Sequence, residues 1–276
     1  MVVKIGVIKA GNIGISPVID LLLDERADRE NIDTRVVTSG AKLNPEQCVE
    51  ITKKILEFKP QLIIFLSPNA GLPGPTKARE ILAEAKVPTI IISDAPGKKA
   101  TEDIEAKGQG YLILVADSMI GARRPFLDPV EMALFNANIL AVLAITGVIP
   151  LVYTEIDKVI DQIERGETPS LPRIVVNKKN AIPAAGFTNP YARNKAMAAH
   201  ELCKAVAGVN VEGCFKTKGR ENYMPIVGAA HEMMREAFLL ADQAREIEKY
   251  GNTVLRRPHA PDGKVLSKRD FAEKPV

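Results

Sequence analysis

An α/β fold is expected for this chain: a doubly wound parallel sheet, followed by a helical bundle and a small antiparallel sheet. Three features lead there. Short Val- and Ile-rich runs recur through the first half, at Val3–Ile8, Arg35–Thr38, Leu62–Leu66, Thr89–Ser93 and Tyr111–Val115. Amphipathic stretches at helical spacing lie between them, at Ile15–Asp24, Pro45–Phe58, Pro75–Ala85 and Lys99–Lys107. After Arg124 this alternation stops and longer helical patterns take over. Strand–helix alternation implies βαβ units with right-handed crossovers. Strands that read as unbroken apolar runs are those buried on both faces.

Each element follows from its own pattern. In Pro45–Phe58, the residues Cys48, Val49, Ile51, Ile55, Leu56 and Phe58 supply an apolar stripe. The stretch 128–153 is apolar enough to suggest a membrane segment, but Glu131, Asn136, Asn138 and Thr146 interrupt it, and Gly147 and Pro150 end it. A spanning helix needs about 20 predominantly apolar residues, so a central buried helix over about 129–147 is expected, with no membrane partner. Helical patterns follow at about 151–165, 189–207 and 223–250. Strand-like pieces occur at Arg173–Asn177 and Val211–Lys216, and in TVLRRPHAPDGKVLSK, where Pro261-Asp262-Gly263 marks a hairpin turn. Two domains are therefore expected: residues 1–125, Rossmann-like, and 126–276, a helical bundle with a small sheet. Ala196, Ala198, Ala199, Ala205 and Ala207, with Gly228, Ala229 and Ala230, permit close helix approach in a core or at a subunit interface.

Composition narrows the partners. The 37 basic and 34 acidic residues are interspersed and leave a net charge of only +3. With no RNP, zinc-finger or helix-turn-helix signature, nucleic acid is not expected. Cys48, Cys203 and Cys214 lack C-x-x-C spacing, and no signal peptide precedes the first strand, so a reducing cytoplasm is expected. His231–Arg235 reads HEMMR, a zinc-protease motif spoiled at its last residue, since arginine cannot replace the second histidine ligand. No metal site is expected. GLPGPTK at 71–77 lacks the ending of a phosphate loop, and no G-x-S-x-G elbow occurs.

The chemistry is expected at the carboxyl ends of the strands, where open parallel sheets bind ligands. Five loops lie there: 9–17, 38–45, 67–80, 93–100 and 116–125. They carry Lys9 and Asn12, Thr38 and Ser39, Asn69 and Lys77, Asp94 and Lys98, and Asp117, Met119 and Arg123. Their eight cations (Lys9, Lys42, Lys77, Arg79, Lys98, Lys99, Arg123, Arg124) outnumber Glu80, Asp94 and Asp117, which favours an anionic ligand. The first loop, KAGNIG, has Lys9 where the dinucleotide fingerprint G-x-G-x-x-G has its first glycine. Thr38-Ser39-Gly40 stands where an acidic ribose reader belongs, so a nicotinamide site is doubly disfavoured.

KAGNIGISPVIDLLLDERADR, SPNAGLPGPTKARE and ISDAPGKK, followed by the alanine-rich helical half, closely resemble the coenzyme F420-dependent methylenetetrahydromethanopterin dehydrogenases of methanogenic archaea. The resemblance implies reversible hydride transfer from methylenetetrahydromethanopterin to the 8-hydroxy-5-deazaflavin F420, a dissociable co-substrate, giving the methenyl cation and reduced F420 in methanogenesis. It also implies a cytoplasmic homohexamer, with the second domain in oligomerisation, and no metal. A deazaflavin has no adenosine half, so an acidic ribose reader is not required.

Residue roles follow from placement in the loops. Lys9, Gly11, Asn12, Thr38, Ser67, Asn69, Lys98 and Arg123 are the expected contacts to the deazaflavin and its phosphate, with Met119 packing on a ring face. Asp94 or Asp117 is the expected negative charge near the developing methenyl cation, although Asp94 could instead cap the following helix. Two alternatives stand beside this reading: a nicotinamide-dependent dehydrogenase with an atypical loop, and a non-catalytic sensor of an anionic small molecule.

Overall fold

The computed structural model describes residues 2–24, 28–119 and 128–276. Its sheet has six strands: β1 (Val3–Lys9), β2 (Ile32–Thr38), β3 (Leu62–Ser67), β4 (Thr89–Asp94), β5 (Gly110–Leu114) and β6 (Arg173–Val176). Their order is β2-β1-β3-β4-β5-β6. The pairs β1–β2, β1–β3, β3–β4 and β4–β5 are all parallel. Tyr111 N donates to Pro172 O (2.7 Å) and Val115 N to Val176 O (3.3 Å), so β6 runs the same way beside β5. The expected parallel sheet is present.

Between the strands come α1 (Ile19–Asp24), α2 (Pro45–Leu56), α3 (Pro73–Glu84), a 3₁₀ turn at Ala95–Ala100 and α4 (Thr101–Ala106). Asn44 starts α2 by accepting from Gln47 N, with Pro45 at the first helical position, where no amide is required. Side chains alternate across each strand. Ile8, Ile63, Phe65 and Ile91 join Cys48, Ile51, Ile55, Ala78, Leu82 and Ile104 in one buried cluster. Ile5, Val7, Ile64, Ile90 and Ile92, on the opposite parity, are also fully buried. Every residue of β3 and β4 is buried, which explains why these strands read as continuous apolar runs.

The chain forms two compact units. The first comprises residues 1–114, 152–175 and 258–266; the second comprises 115–151, 176–257 and 267–276. The expected single cut at 125 does not follow this division, because two later segments return to the first unit. The reason lies in α6 (Val148–Glu164) and β6, which complete the sheet unit from downstream. In that unit Tyr153 Oη donates to Ile19 O (2.9 Å) and Val18 O (3.2 Å).

The second unit contains α5 (Pro129–Ile145), α7 (Lys178–Ala185), α8 (Pro190–Val211), a π-helical turn (Glu212–Lys216) and α9 (Arg220–Tyr250). Helix α9 packs on α8 and α5. Of the small residues singled out, Ala196, Ala199 and Ala230 are fully buried, and Ala192, Ala237, Ala241 and Ala244 join them, whereas Ala198, Ala205 and Ala229 are exposed and do not line a helix contact within the chain. Four expectations are corrected. The small antiparallel sheet is not formed: among the described residues there are only isolated antiparallel bridges, Arg256↔Lys268 and His259↔Val265. Pro258 and Pro261 have no amide hydrogen to extend a ladder there. Val211–Lys216 is not a strand but the end of α8 and its π turn. The helix expected over 129–147 ends at Ile145, because Gly147 adopts a left-handed φ of 89° beside Ala181 O. Nor is α5 centrally buried: Phe135, Ile139, Val142 and Leu143 point inward, while Val130 (63%) and Leu134 (56%) are exposed. Among the described residues no single helix is long and apolar enough to cross a membrane.

Candidate active site

Strand order decides where the loops meet. The chain moves from β1 outward to β2 and then back across β1 to β3, so the connections leave β1 and β3 in opposite directions. In open parallel sheets such a reversal marks the ligand crevice, which here falls at the carboxyl ends of β1 and β3, where Lys9 and Ser67 are the last strand residues.

The first loop is tightly held. Ala10 N donates to Leu66 O (2.9 Å), and Gly11 N reaches Ser39 Oγ (3.4 Å). Gly11 has φ 81°, and a Cβ there would lie 2.9 Å from Leu43 Cδ2 and 3.1 Å from Pro68 Cδ. A side chain there is therefore strained by the backbone conformation and must push Leu43 aside. Ser39 fastens the loop further: its N donates to Lys9 O (3.0 Å) and its Oγ to Lys42 O (2.7 Å). Thr38 Oγ1 accepts from Gly40 N (3.0 Å), so that hydroxyl is partly spent on its own turn. Asn12 is exposed at the tip.

Lys9 differs from the expectation of a free phosphate-binding cation. Its Nζ lies 2.6 Å from Asp20 Oδ1, with both side chains about one-fifth exposed (17% and 23%). Other loop cations are also matched locally. Lys77 pairs with Glu80 (3.0 Å). Arg79 is 1% exposed; it pairs with Asp103 (2.8 Å) and donates to Ala70 O (3.2 Å) and Thr76 Oγ1 (3.3 Å). It pins the third loop and is not a ligand arm. Lys42, Lys98 and Lys99 remain exposed, with no ion pair among the described residues.

At the end of β3, Ser67 is buried and its Oγ has no hydrogen-bond partner among the described residues. Asn69 Oδ1 accepts from Gly71 N (3.0 Å), shaping the turn beside it. Ser93, one residue before the end of β4, accepts from Ala70 N through its Oγ (3.2 Å) and so ties neighbouring loops together. Asp94 is 1% exposed and sits at the N-cap position of the 3₁₀ turn, yet its side chain makes no cap hydrogen bond. The capping alternative is not what the structure contains.

Lys9, Gly11, Asn12, Thr38, Ser67, Asn69, Asp94 and Lys98 therefore share the carboxyl edge of the sheet in the first unit. Asp117 (1% exposed) and Met119 (half-buried) follow β5 in sequence and belong to the second unit. Arg123 and Arg124 lie outside the described residues. Loop reading had not singled out Asp20 and Ser93; an aspartate eleven residues from Lys9, on the next helix, carries no local signal of its pairing. Among the described residues no group of three or more His, Cys, Asp or Glu is placed to hold a metal. His231 of HEMMR instead stacks on Phe135, ring centroids 4.3 Å apart.

Comparison with known proteins agrees with this architecture. Residues 3–276 match the family model described as methylene-5,6,7,8-tetrahydromethanopterin dehydrogenase. The F420-dependent methylenetetrahydromethanopterin dehydrogenases of Methanobrevibacter smithii, Archaeoglobus fulgidus and Methanocaldococcus jannaschii are 56%, 57% and 55% identical, each covering 100% of both chains. A solved F420-dependent methylene-tetrahydromethanopterin dehydrogenase, in complex with methylene-tetrahydromethanopterin and coenzyme F420, superposes over 100% of both chains with TM-score 0.95 and 50% identity. The glycine turn with lysine in place of its first glycine, the crevice between β1 and β3 and the helical half thus occur together along one full-length match: the chain belongs to the methylene-5,6,7,8-tetrahydromethanopterin dehydrogenase family.

Proposed function

We propose that this chain catalyses reversible hydride transfer from methylenetetrahydromethanopterin to coenzyme F420, giving methenyltetrahydromethanopterin and reduced F420. The observation that carries the reading is its likeness, over all of both chains, to a solved complex holding both reactants. The crevice residues fit a deazaflavin. A buried Ser67 hydroxyl is available to hydrogen-bond a ring edge, the Gly11 turn leaves backbone open, and Lys42, Lys98 and Lys99 provide exposed positive charge for an anionic tail. When bound, the deazaflavin supplies the hydride acceptor.

The protein's own task is to hold two rings in near-attack geometry and keep water out. Lys9, Gly11, Asn12, Thr38, Ser67, Asn69 and Lys98 are the proposed F420 contacts, with Arg123 from the loop beyond. Because Lys9 already carries Asp20, it serves as a hydrogen-bond donor of nearly neutral local charge, and Lys98 is the better phosphate partner. Met119 is the proposed ring-face contact. Asp94, the last residue of β4, or Asp117, beyond β5, each a buried carboxylate, is proposed to oppose the positive charge that develops on the pterin.

Self-association is part of the proposal, and a hexamer is the state to test. The exposed apolar side of α5, with Val130 and Leu134, is a surface that a second protomer would cover. Three buried free cysteines are compatible with a cytoplasmic setting. The deciding experiment is anaerobic: oxidised F420 and methylenetetrahydromethanopterin are mixed with the protein, and bleaching of the deazaflavin band is followed. Bleaching that requires both compounds and that NAD or NADP cannot replace is expected. Binding of F420 without bleaching would leave only the sensor reading, and reduction of NADP instead would establish the nicotinamide reading. Sedimentation of the same preparation counts the protomers.

A further inference from the structure

We propose that Cys203 and Asn210 are positioning residues that fix the Asp117 carboxylate by clamping the backbone on either side of it. This rests on the reading that Asp117 acts on the pterin. Both residues project from α8, seven positions apart, which is two helical turns on one face and about 10.5 Å along the axis. Cys203 Sγ donates to Ala116 O (3.0 Å), the carbonyl immediately before Asp117. Asn210 Nδ2 donates to Ser118 O (3.4 Å), the carbonyl immediately after it. Ser118 Oγ adds a contact to Cys203 Sγ at 3.8 Å, and Met234 Sδ of α9 backs the sulfur at 3.9 Å. All of these residues lie in the second unit.

The clamp is dry. Cys203, Ser118, Asn210 and Met234 are each 0% exposed, and Asp117 is 1% exposed. A short loop after a strand has few backbone hydrogen bonds of its own, so its carbonyls must find partners when buried. Here the partners come from a single rigid helix, which converts a loop position into one set by the bundle. Burial pushes the Cys203 thiol up to about 12, so it remains an S–H donor throughout the range in which the enzyme would be assayed. Such a group has no use for thiolate chemistry, and its value here is as a donor of defined length. A displacement of about 1 Å at a reacting site can lower turnover 10²-fold, which gives the clamp a kinetic signature.

The test measures kcat and both KM values in the assembled enzyme for Asp117→Asn, Cys203→Ala, Cys203→Ser, Asn210→Leu and the double variant Asp117→Asn with Cys203→Ala. Cys203→Ala and Asn210→Leu are expected to lower kcat about 10- to 100-fold, with the F420 KM unchanged within twofold. Cys203→Ser, which keeps a donor, is expected to recover most of that loss. In the Asp117→Asn background, Cys203→Ala is expected to change kcat less than twofold, because residues acting through one another are not additive. Multiplicative losses in the double variant, or equal losses in the Ala and Ser variants, would overturn the positioning role and leave a structural one. Slow Asp117→Asn with full turnover in both Cys203→Ala and Asn210→Leu overturns the clamp alone. Full turnover in Asp117→Asn overturns the reading of Asp117, and the clamp with it.

Discussion

Asp157 is where removal of a single carboxylate should destabilise the protein most. It lies on α6 in the sheet unit, with its side chain 9% exposed. One oxygen is 3.0 Å from Arg29 Nη1 and the other 2.9 Å from His259 Nε2. The Arg29 side chain is 1% exposed; beyond Asp157 its Nε donates to Asn31 Oδ1 (3.2 Å). A histidine need not carry a charge, but a guanidinium always does. Asp157→Ala therefore removes the buried guanidinium's ion-pair partner and leaves the more distant Asp161 carboxylate acting on it, a change that costs about 3–5 kcal/mol. For a chain of this size that corresponds to a drop in Tm of roughly 5–9 °C. Urea unfolding followed by circular dichroism, at one protomer concentration so that assembly does not move the midpoint, measures it. The paired substitution Arg29→Met with Asp157→Leu removes both charges and should recover most of the loss, since apolar replacements of buried pairs are often neutral. A loss below about 0.5 kcal/mol in Asp157→Ala, the range of ordinary surface changes, would refute the reasoning.

Three further outcomes are expected. Asp94→Asn should lower turnover by about 10²–10³ while the circular dichroism spectrum and Tm stay near those of the parent; unchanged turnover removes Asp94 from the site. Gly11→Ala should destabilise by roughly 1–3 kcal/mol from its positive φ and raise the F420 KM, read by thermal melts and steady-state kinetics. Glu248, 3% exposed on α9, accepts from Thr188 N (2.9 Å), Asn189 N (2.7 Å) and Thr188 Oγ1 (2.8 Å), and also from Thr253. Burial works to raise its pKa, but the hydrogen bonds from Thr253, Asn189 and Thr188 outweigh it and leave the value below the usual glutamate range. The carboxylate's contribution is therefore present above the unfolded-state value and lost as pH falls through the lower folded one. Glu248→Gln should cost about 1–3 kcal/mol at neutral pH, and urea midpoints of parent and variant should converge in acid.

Much of the first half was legible in the chain. Continuous runs such as Leu62–Leu66 and Thr89–Ser93 correspond to β3 and β4 because both faces of a parallel sheet are covered, so no polar alternation is required. The loops followed from the same alternation, and motifs such as SPNAGLPGPTKARE carried the family. The second half was legible only in part. Its long helices appear near where periodicity put them, but the short α7 (Lys178–Ala185) was not read from the pattern, and TVLRRPHAPDGKVLSK has the composition of a hairpin and makes only isolated bridges. Val211–Lys216 looked like a strand, since Val and Phe in a short run cannot be told from the frayed end of a long helix.

The sequence by itself determined the strand and helix periods, the glycine turn after the first strand, and the set of polar residues at strand ends. These depend on neighbours a few residues away. Tertiary structure alone decided the strand order that opens the crevice between β1 and β3, and the return of α6 and β6 to the sheet unit. It also decided the electrostatic state of the loops. Lys9 meets Asp20, Arg79 meets Asp103, and Asp157 meets both Arg29 and His259 across 128 and 102 positions. Charge acts through distance in space and through burial, and neither quantity is written along the chain.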